Sequence, residues 1–253
     1  MEASKKKKNI VGVASTPDRV EGLKDTIKCL SSQVDHIYVW LNGYKEIPKI
    51  EENNITFHLS EKNIGAVGKL KIRDIINKSE DFYYFTCDDD IIYPNNYIEH
   101  NIKNYTEGSF QSSHTGLYKS YPIVNYYKET ERSNNVPTFF TRGCGEKFAV
   151  HIGGTGVMMF TSDMLGEIPV DDFLEYPNML DPWIGVYAHM NDIPIYTLIR
   201  EDFWMKENPK VNQKTSIFHS DSGKGETQTQ IINHYFCSKP NKHQPVPIET
   251  YKH

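Results

Sequence analysis

Three carboxylates stand side by side at Asp88, Asp89 and Asp90. Adjacent anions repel, and gathering them without a cation is costly. They follow the stretch FYYFTC at 82–87 and precede Ile91-Ile92-Tyr93-Pro94. Those apolar neighbours limit the water that would dilute their field. A hard divalent ion with oxygen ligands relieves the repulsion, and the same ion can clamp a diphosphate. An acidic surface turn is the plainer alternative, and the apolar flanks weigh against it. Asp181 opens Asp-Pro-Trp-Ile-Gly. It reads either as a helix cap or as a reactive carboxylate, with Asp171-Asp172 as the rival pair. Gly153-Gly154-Thr155-Gly156 is glycine-rich but lacks the Lys-Ser/Thr ending of a phosphate loop. Trp183 either stacks on a ligand ring or fills the core. Lys224, between Gly223 and Gly225, could close over a diphosphate.

The elements that must position these groups alternate. Asn9 to Ser15 is a short apolar run that suits a buried strand, and Thr16-Pro17-Asp18-Arg19 turns the chain. Val20, Leu23, Ile27, Leu30 and Val34 recur at steps of three and four, one face of an amphipathic helix. His36 to Leu41 is a second strand closed by Asn42-Gly43, Ile55 to Leu59 a third, and 82–87 a fourth. Gly65 to Lys78 reads as helical between them. Strand–helix alternation argues for a parallel sheet, where ligands gather beyond the carboxyl ends of the strands. Ser15 to Arg19, Asn42-Gly43 and Asp88 to Asp90 would then share one edge. Farther on, Tyr97 to Tyr105 suits a helix, and 108–150 reads as short strands and long loops. His151 to Thr161 reads as a turn into a strand, Asp181 to Met190 as a helix, and Ile193 to Ile199 as a late strand. The polar stretch from Lys206 to His253 is expected to be a mobile lid or tail.

One domain accommodates all of this in 253 residues, enough to bury a core without a staple. Residues 1–8 read as a flexible basic tail, about 9–105 as a first half of alternating strands and helices and about 106–205 as a second half. With 28 basic and 33 acidic residues, the net charge of −5 argues against a nucleic-acid-coated protein. Cys29, Cys87, Cys144 and Cys237 form no CxxC pair, which points to reduced thiols and a cytoplasmic setting. No apolar run reaches the roughly 18–20 residues that span a bilayer. The start lacks the apolar region of a signal peptide. Its lysines are expected to be a solvated tail; a peripheral electrostatic hold on the inner face of a membrane is the alternative.

The stretches VGVASTPDR at 11–19, Asn42-Gly43, Val67-Gly68-Lys69, TCDDDIIYP at 86–94, GGTGVMMF at 153–160 and Asp181 within LDPW carry a likeness. The chain resembles nucleotide-sugar glycosyltransferases of the GT-A fold. It is more closely similar to bacterial heparosan α-N-acetylglucosaminyltransferases, which build capsular polysaccharide. DDDIIYP is the specific element; the others are weak singly, and the chain beyond 200 matches less well. The resemblance implies an α/β GT-A fold, a Rossmann-like and mostly parallel central sheet with helices on both faces and a small antiparallel region. It implies Mn²⁺ or Mg²⁺ as cofactor, held by Asp90 with Asp88, while Asp88 and Asp89 face a uridine diphosphate sugar. Ser15, Thr16 and Arg19 would meet uridine and its phosphates, Asn42 the uracil, and Lys69 the donor site. Gly154, Thr155 and Gly156 would wall the sugar pocket, with Trp183 against a sugar face. Asp181, or Asp172 in its place, would stand by the anomeric carbon or the acceptor hydroxyl. Many enzymes of this fold use a late histidine as a metal ligand, which makes His219 a candidate.

The implied reaction moves N-acetylglucosamine, with retention, onto a glycan hydroxyl, and a second glycosyltransferase of the pathway is the expected partner. An inverting family 2 type enzyme using another uridine diphosphate sugar is the runner-up; were Asp181 a general base opposite the leaving group, the product would be inverted. A nucleotidyltransferase would want a basic glycine-rich loop after the first strand, which ASTPDR is not. A non-catalytic glycan-binding partner of a synthase stays open as a different class.

Overall fold

The computed structural model describes residues 6–77, 80–118, 120–127, 139–212 and 225–239. Their fold is mixed α/β around one eight-stranded sheet. Its first strands are β1 (Lys8–Ser15), β2 (His36–Asn42), β3 (Ile55–Ser60) and β4 (Phe82–Cys87). These four are mutually parallel, in the spatial order β3-β2-β1-β4. The far half is not parallel throughout. β10 (Val157–Thr161) runs antiparallel to both β4 and β6 (Phe110–Ser112). β11 (Ile195–Thr197) is parallel to β6, and β8 (Ala149–Val150) closes the edge antiparallel to β11. Two short pairs flank the sheet. β5 (Ile91–Ile92) pairs with β12 (Lys206–Glu207), and β7 (Thr115–Gly116) with β9 (Ile152–Gly153).

Strand alternation divides the core between two faces. Val11 and Val13 point to one face, where Leu23, Ile27 and Leu30 of α1 (Val20–Leu30) cover them. Ile10, Tyr84, Met158 and Phe160 point to the other, against Leu70 of α2 (Gly68–Lys71) and Ile184 of α5 (Leu180–Met190). Each such aliphatic side chain taken from water contributes about 1.5–3 kcal/mol. α3 (Tyr97–Lys103) packs on the first face through Tyr97 and Ile98, and α4 (Ser162–Glu167) on the second through Met164 and Leu165.

Two expectations change here. The stretch expected to be helical from Gly65 holds a single α turn, α2, between two 3-10 turns, Gly65–Val67 and Ile72–Asp74. Two glycines in its first four residues weaken a longer helix. The described parts of the expected lid are docked structure. Lys206–Glu207 completes a sheet with β5, and α6 (Glu226–Phe236) packs on α5 with Ile231, Ile232 and Phe236 buried. Burial of those side chains explains why this polar-looking segment holds to the body.

Candidate functional site

Parallel pairing brings the ends of β1, β2 and β4 to one edge. Val13 lies opposite Cys87 and Ser15 opposite Leu41 in register. Because β10 is antiparallel, it contributes its beginning to that edge: Val157 faces Cys87. β6 ends there too, and Gly154 N–H donates to His114 O at 2.7 Å. A cavity of 470 Å³ opens at this convergence. It is lined by Ser15, Thr16, Arg19, Asn42, Lys69, Asp88, Asp89, Asp90, Gly154, Thr155, Gly156 and Asp181, among others.

The acid turn is pinned from both sides. Asp88 N–H donates to Tyr93 Oη at 2.8 Å, and Tyr93 Oη donates to Gly156 O at 2.6 Å. Thr26 of α1 donates to Asp88 O at 3.2 Å and Ile91 O at 3.1 Å. At Gly156 an added Cβ would collide with the Asp88 carboxylate. At Gly154 it would lie 2.7 Å from His114 Cβ. The glycine-rich turn is therefore bare because a carboxylate and an imidazole occupy the space beside it.

The charges are matched within the protein. Arg19 Nη1 donates to Asp89 Oδ1 at 3.1 Å and to Asp90 Oδ2 at 3.0 Å. Lys69, fully enclosed, donates to Asp88 and, at 3.3 Å, to Thr155 O. The repulsion that pointed to a metal is thus already relieved in part by two protein cations. Burial pulls Lys69 toward neutrality, but Asp88 outweighs it and holds the ammonium above its ordinary range. Arg19 is likewise raised: burial opposes, and Asp89 with Asp90 prevails. Burial pushes the Asp89 carboxyl up to about 7 against the pull of Arg19. Asp90 is raised by burial and then by the charge of Asp88.

Asp181 sits in the first turn of α5, one residue inside it, and does not cap the helix. Its Oδ1 accepts from Thr155 N and Thr155 Oγ1, both at 2.7 Å. Lys69 and Asp181 thus grip the same residue, and a chain of contacts runs Asp88–Lys69–Thr155–Asp181.

Among the described residues, no group of three or more His, Cys, Asp and Glu side chains has metal-holding geometry. A hard divalent ion still suits part of the donor set. Asp89 Oδ2 is buried with no hydrogen-bond partner, and Asp88 raises Asp90 as a like charge does. Mg²⁺ and similar ions commonly take one or two carboxylates and complete their shell with phosphates and waters.

Other sequence-nominated residues sort differently. Ser15 is buried, 3.1 Å from Tyr44 Oη. Asn42 lines the cavity, but its amide is engaged by the chain: Nδ2 donates to Gly65 O at 3.1 Å and Oδ1 accepts from Ile64 N at 2.9 Å. It shapes the cavity by fixing that loop. Asp172 is exposed and away from the cavity lining, and Asp171 pairs with Lys71 at 2.7 Å, so neither rivals Asp181. Trp183 is a correction as well. It stacks on Phe173 with centroids 5.6 Å apart and meets Tyr235 edge-on, in the core. Two residues along a helix from Asp181 it faces the opposite way. His219 and Lys224 lie outside the described residues.

Sequence reasoning missed His114, Phe139, Phe140 and Gln228, all on the cavity wall. They fall in irregular stretches or on an unrecognised helix, where no local pattern marks them.

No protein-family model matches the chain, and none of the curated proteins compared with it does. Among solved structures it is similar to HddC from Yersinia pseudotuberculosis, with a TM-score of 0.39 and 12% identity over 64% of this chain and 80% of that one. A likeness so slight carries no argument about the site. No helix among the described residues is long and apolar enough to cross a membrane.

Proposed function

We propose that this protein is a metal-dependent glycosyltransferase of the GT-A type that moves a sugar, N-acetylglucosamine in the first instance, from a uridine diphosphate donor to a glycan hydroxyl. The observation that carries the reading is the convergence of Asp88–Asp90, Arg19, Lys69 and Asp181 around one cavity at the carboxyl edge of the parallel strands. The resemblance of DDDIIYP and its companions to the heparosan transferases supplies the substrate class.

Departure of a nucleoside diphosphate places negative charge on its phosphates and positive charge on the sugar ring. Groups aimed at both charges lower the barrier where they develop. Asp90, with Asp88, would hold Mn²⁺ or Mg²⁺, which when bound supplies positive charge to the leaving diphosphate. Arg19 and Lys69 add fixed positive charge on the same side. Asp181, oriented by Thr155, offers a carboxylate to the sugar side. Retention follows from the resemblance; the anomeric coupling of the product by NMR tests it, and an inverted product would make Asp181 a base.

The test is a panel of uridine diphosphate sugars with Mn²⁺, followed by release of uridine diphosphate. One sugar should be hydrolysed slowly without acceptor, and Asp90→Asn should lower that rate at least a hundredfold while staying folded. Full turnover by the variant would remove the metal role.

A further inference from the structure

The nucleotide-facing acids account for one side of the cavity only. Another part of its lining is aromatic. Phe139 is 38% exposed on the cavity lining, and His114 meets it edge-on with ring centroids 5.6 Å apart. Phe140 stands next to it, 6.3 Å from the same imidazole. An exposed phenyl ring on a concave wall has an apolar face to offer a ligand.

This wall is built. Arg200 is 6% exposed and has no carboxylate partner among the described residues. Its guanidinium instead donates to Phe139 O at 3.0 Å, Phe140 O at 3.4 Å and Leu198 O at 2.9 Å. A buried charge is thus used to fix the backbone that presents the two phenyl rings. His114 is held through its own backbone: its carbonyl accepts from Ser112 Oγ at 2.8 Å and from Gly154 N at 2.7 Å. A second polar group waits nearby. Gln228, 2% exposed and on the cavity lining, donates to Tyr127 Oη at 3.0 Å, but its Oε1 has no hydrogen-bond partner. A hydroxyl-bearing ligand would supply the missing donor.

We propose that this wall is the acceptor subsite: Phe139 stacks on the apolar face of the terminal pyranose of a glycan, and His114 with Gln228 hydrogen-bonds its hydroxyl groups. The inference rests on the glycosyl-transfer reading, because it takes the acid-lined part of the cavity for the donor. The chemistry matches a sugar ring, which carries axial C–H bonds on its faces and hydroxyl groups on its rim. Apolar platforms with few placed polar groups suit it.

The experiment compares wild type with Phe139→Ala, His114→Gln and Gln228→Ala, using p-nitrophenyl glycosides of glucose, N-acetylglucosamine and glucuronic acid as acceptors. Acceptor-independent donor hydrolysis is measured beside transfer. Phe139→Ala should raise the acceptor KM about tenfold, the scale of one good aromatic contact. Donor hydrolysis should fall less than transfer does. Equal losses in transfer and hydrolysis would put these residues on the donor, and an unchanged acceptor KM would remove them from binding; either overturns the subsite. Binding is read separately by NMR, from the His114 imidazole signals as each glycoside is added. Shifts that vanish in Phe139→Ala support the subsite even in a protein that turns over no donor, which would defeat the transfer reading alone. Signals that do not move with any glycoside overturn the subsite.

Discussion

At the residue scale, the site works by matching buried charges. Arg19 stands between two carboxylates whose side chains are 4% and 16% exposed. Removing one partner of a buried pair strands the other, at a cost of about 3–5 kcal/mol. Arg19→Ala should therefore lower unfolding free energy by about 3 kcal/mol in urea titrations. A loss below about 1 kcal/mol would mean that the two contacts are solvated. His151 makes a second residue-scale case. Its Nδ1 accepts from Tyr118 N–H at 3.0 Å, and burial, helped by His189, pushes the imidazole down to about 3. The unfolded imidazole titrates near 6.5. The unfolded chain therefore binds the extra proton between those two values. The neutral-histidine contribution is complete above about pH 6.5 and is lost as the pH falls toward 3. Between pH 7 and pH 5 wild type should lose about 2 kcal/mol more than His151→Phe, measured by denaturant midpoints. Equal losses would mean that His151 is protonated in the fold.

At the element scale, legibility tracked periodicity. The strands at 8–15, 36–42 and 82–87 are apolar runs, and Val20–Leu30 spaces its apolar residues by three and four. Those patterns are local, so the sequence displays them. The acid turn and Asp181 were legible for a related reason: charged residues beside apolar runs stand out. Pairing partners are not local. Nothing in DDDIIYP announces that Arg19 and Lys69 would fold back onto it. Trp183 misled because an aromatic beside a candidate carboxylate reads as a ligand contact, whereas the helix turns it into the core. α6 was missed because Glu226-Thr-Gln-Thr-Gln is polar, and only Ile231, Ile232 and Phe236 carry its buried stripe. That helix gives a direct test. Ile232 is 0% exposed. Ile232→Ala should destabilise the protein by about 2–5 kcal/mol, the range for buried aliphatic truncation. A loss under about 0.5 kcal/mol would restore the free lid that the sequence suggested.

At the scale of the whole molecule, the sheet changes character where the cavity lies. Four parallel strands deliver the acid turn, the first-strand turn and Asn42 to one edge. The antiparallel β10 brings the glycine turn back against them, and α5 adds Asp181 behind it. Mixed pairing thus brings the anions, the cations and the aromatic rings onto the lining of one cavity. A ligand that binds only the folded chain must raise its melting temperature. Uridine diphosphate with Mn²⁺ should do so, and with Asp90→Asn the Mn²⁺-dependent part should vanish.

The most direct measurement is calorimetric titration of uridine diphosphate with and without Mn²⁺. The account predicts at least tenfold tighter binding in the presence of the ion for wild type, and no such gain for Asp90→Asn. Binding that is indifferent to Mn²⁺, or a gain that survives in the variant, would contradict it.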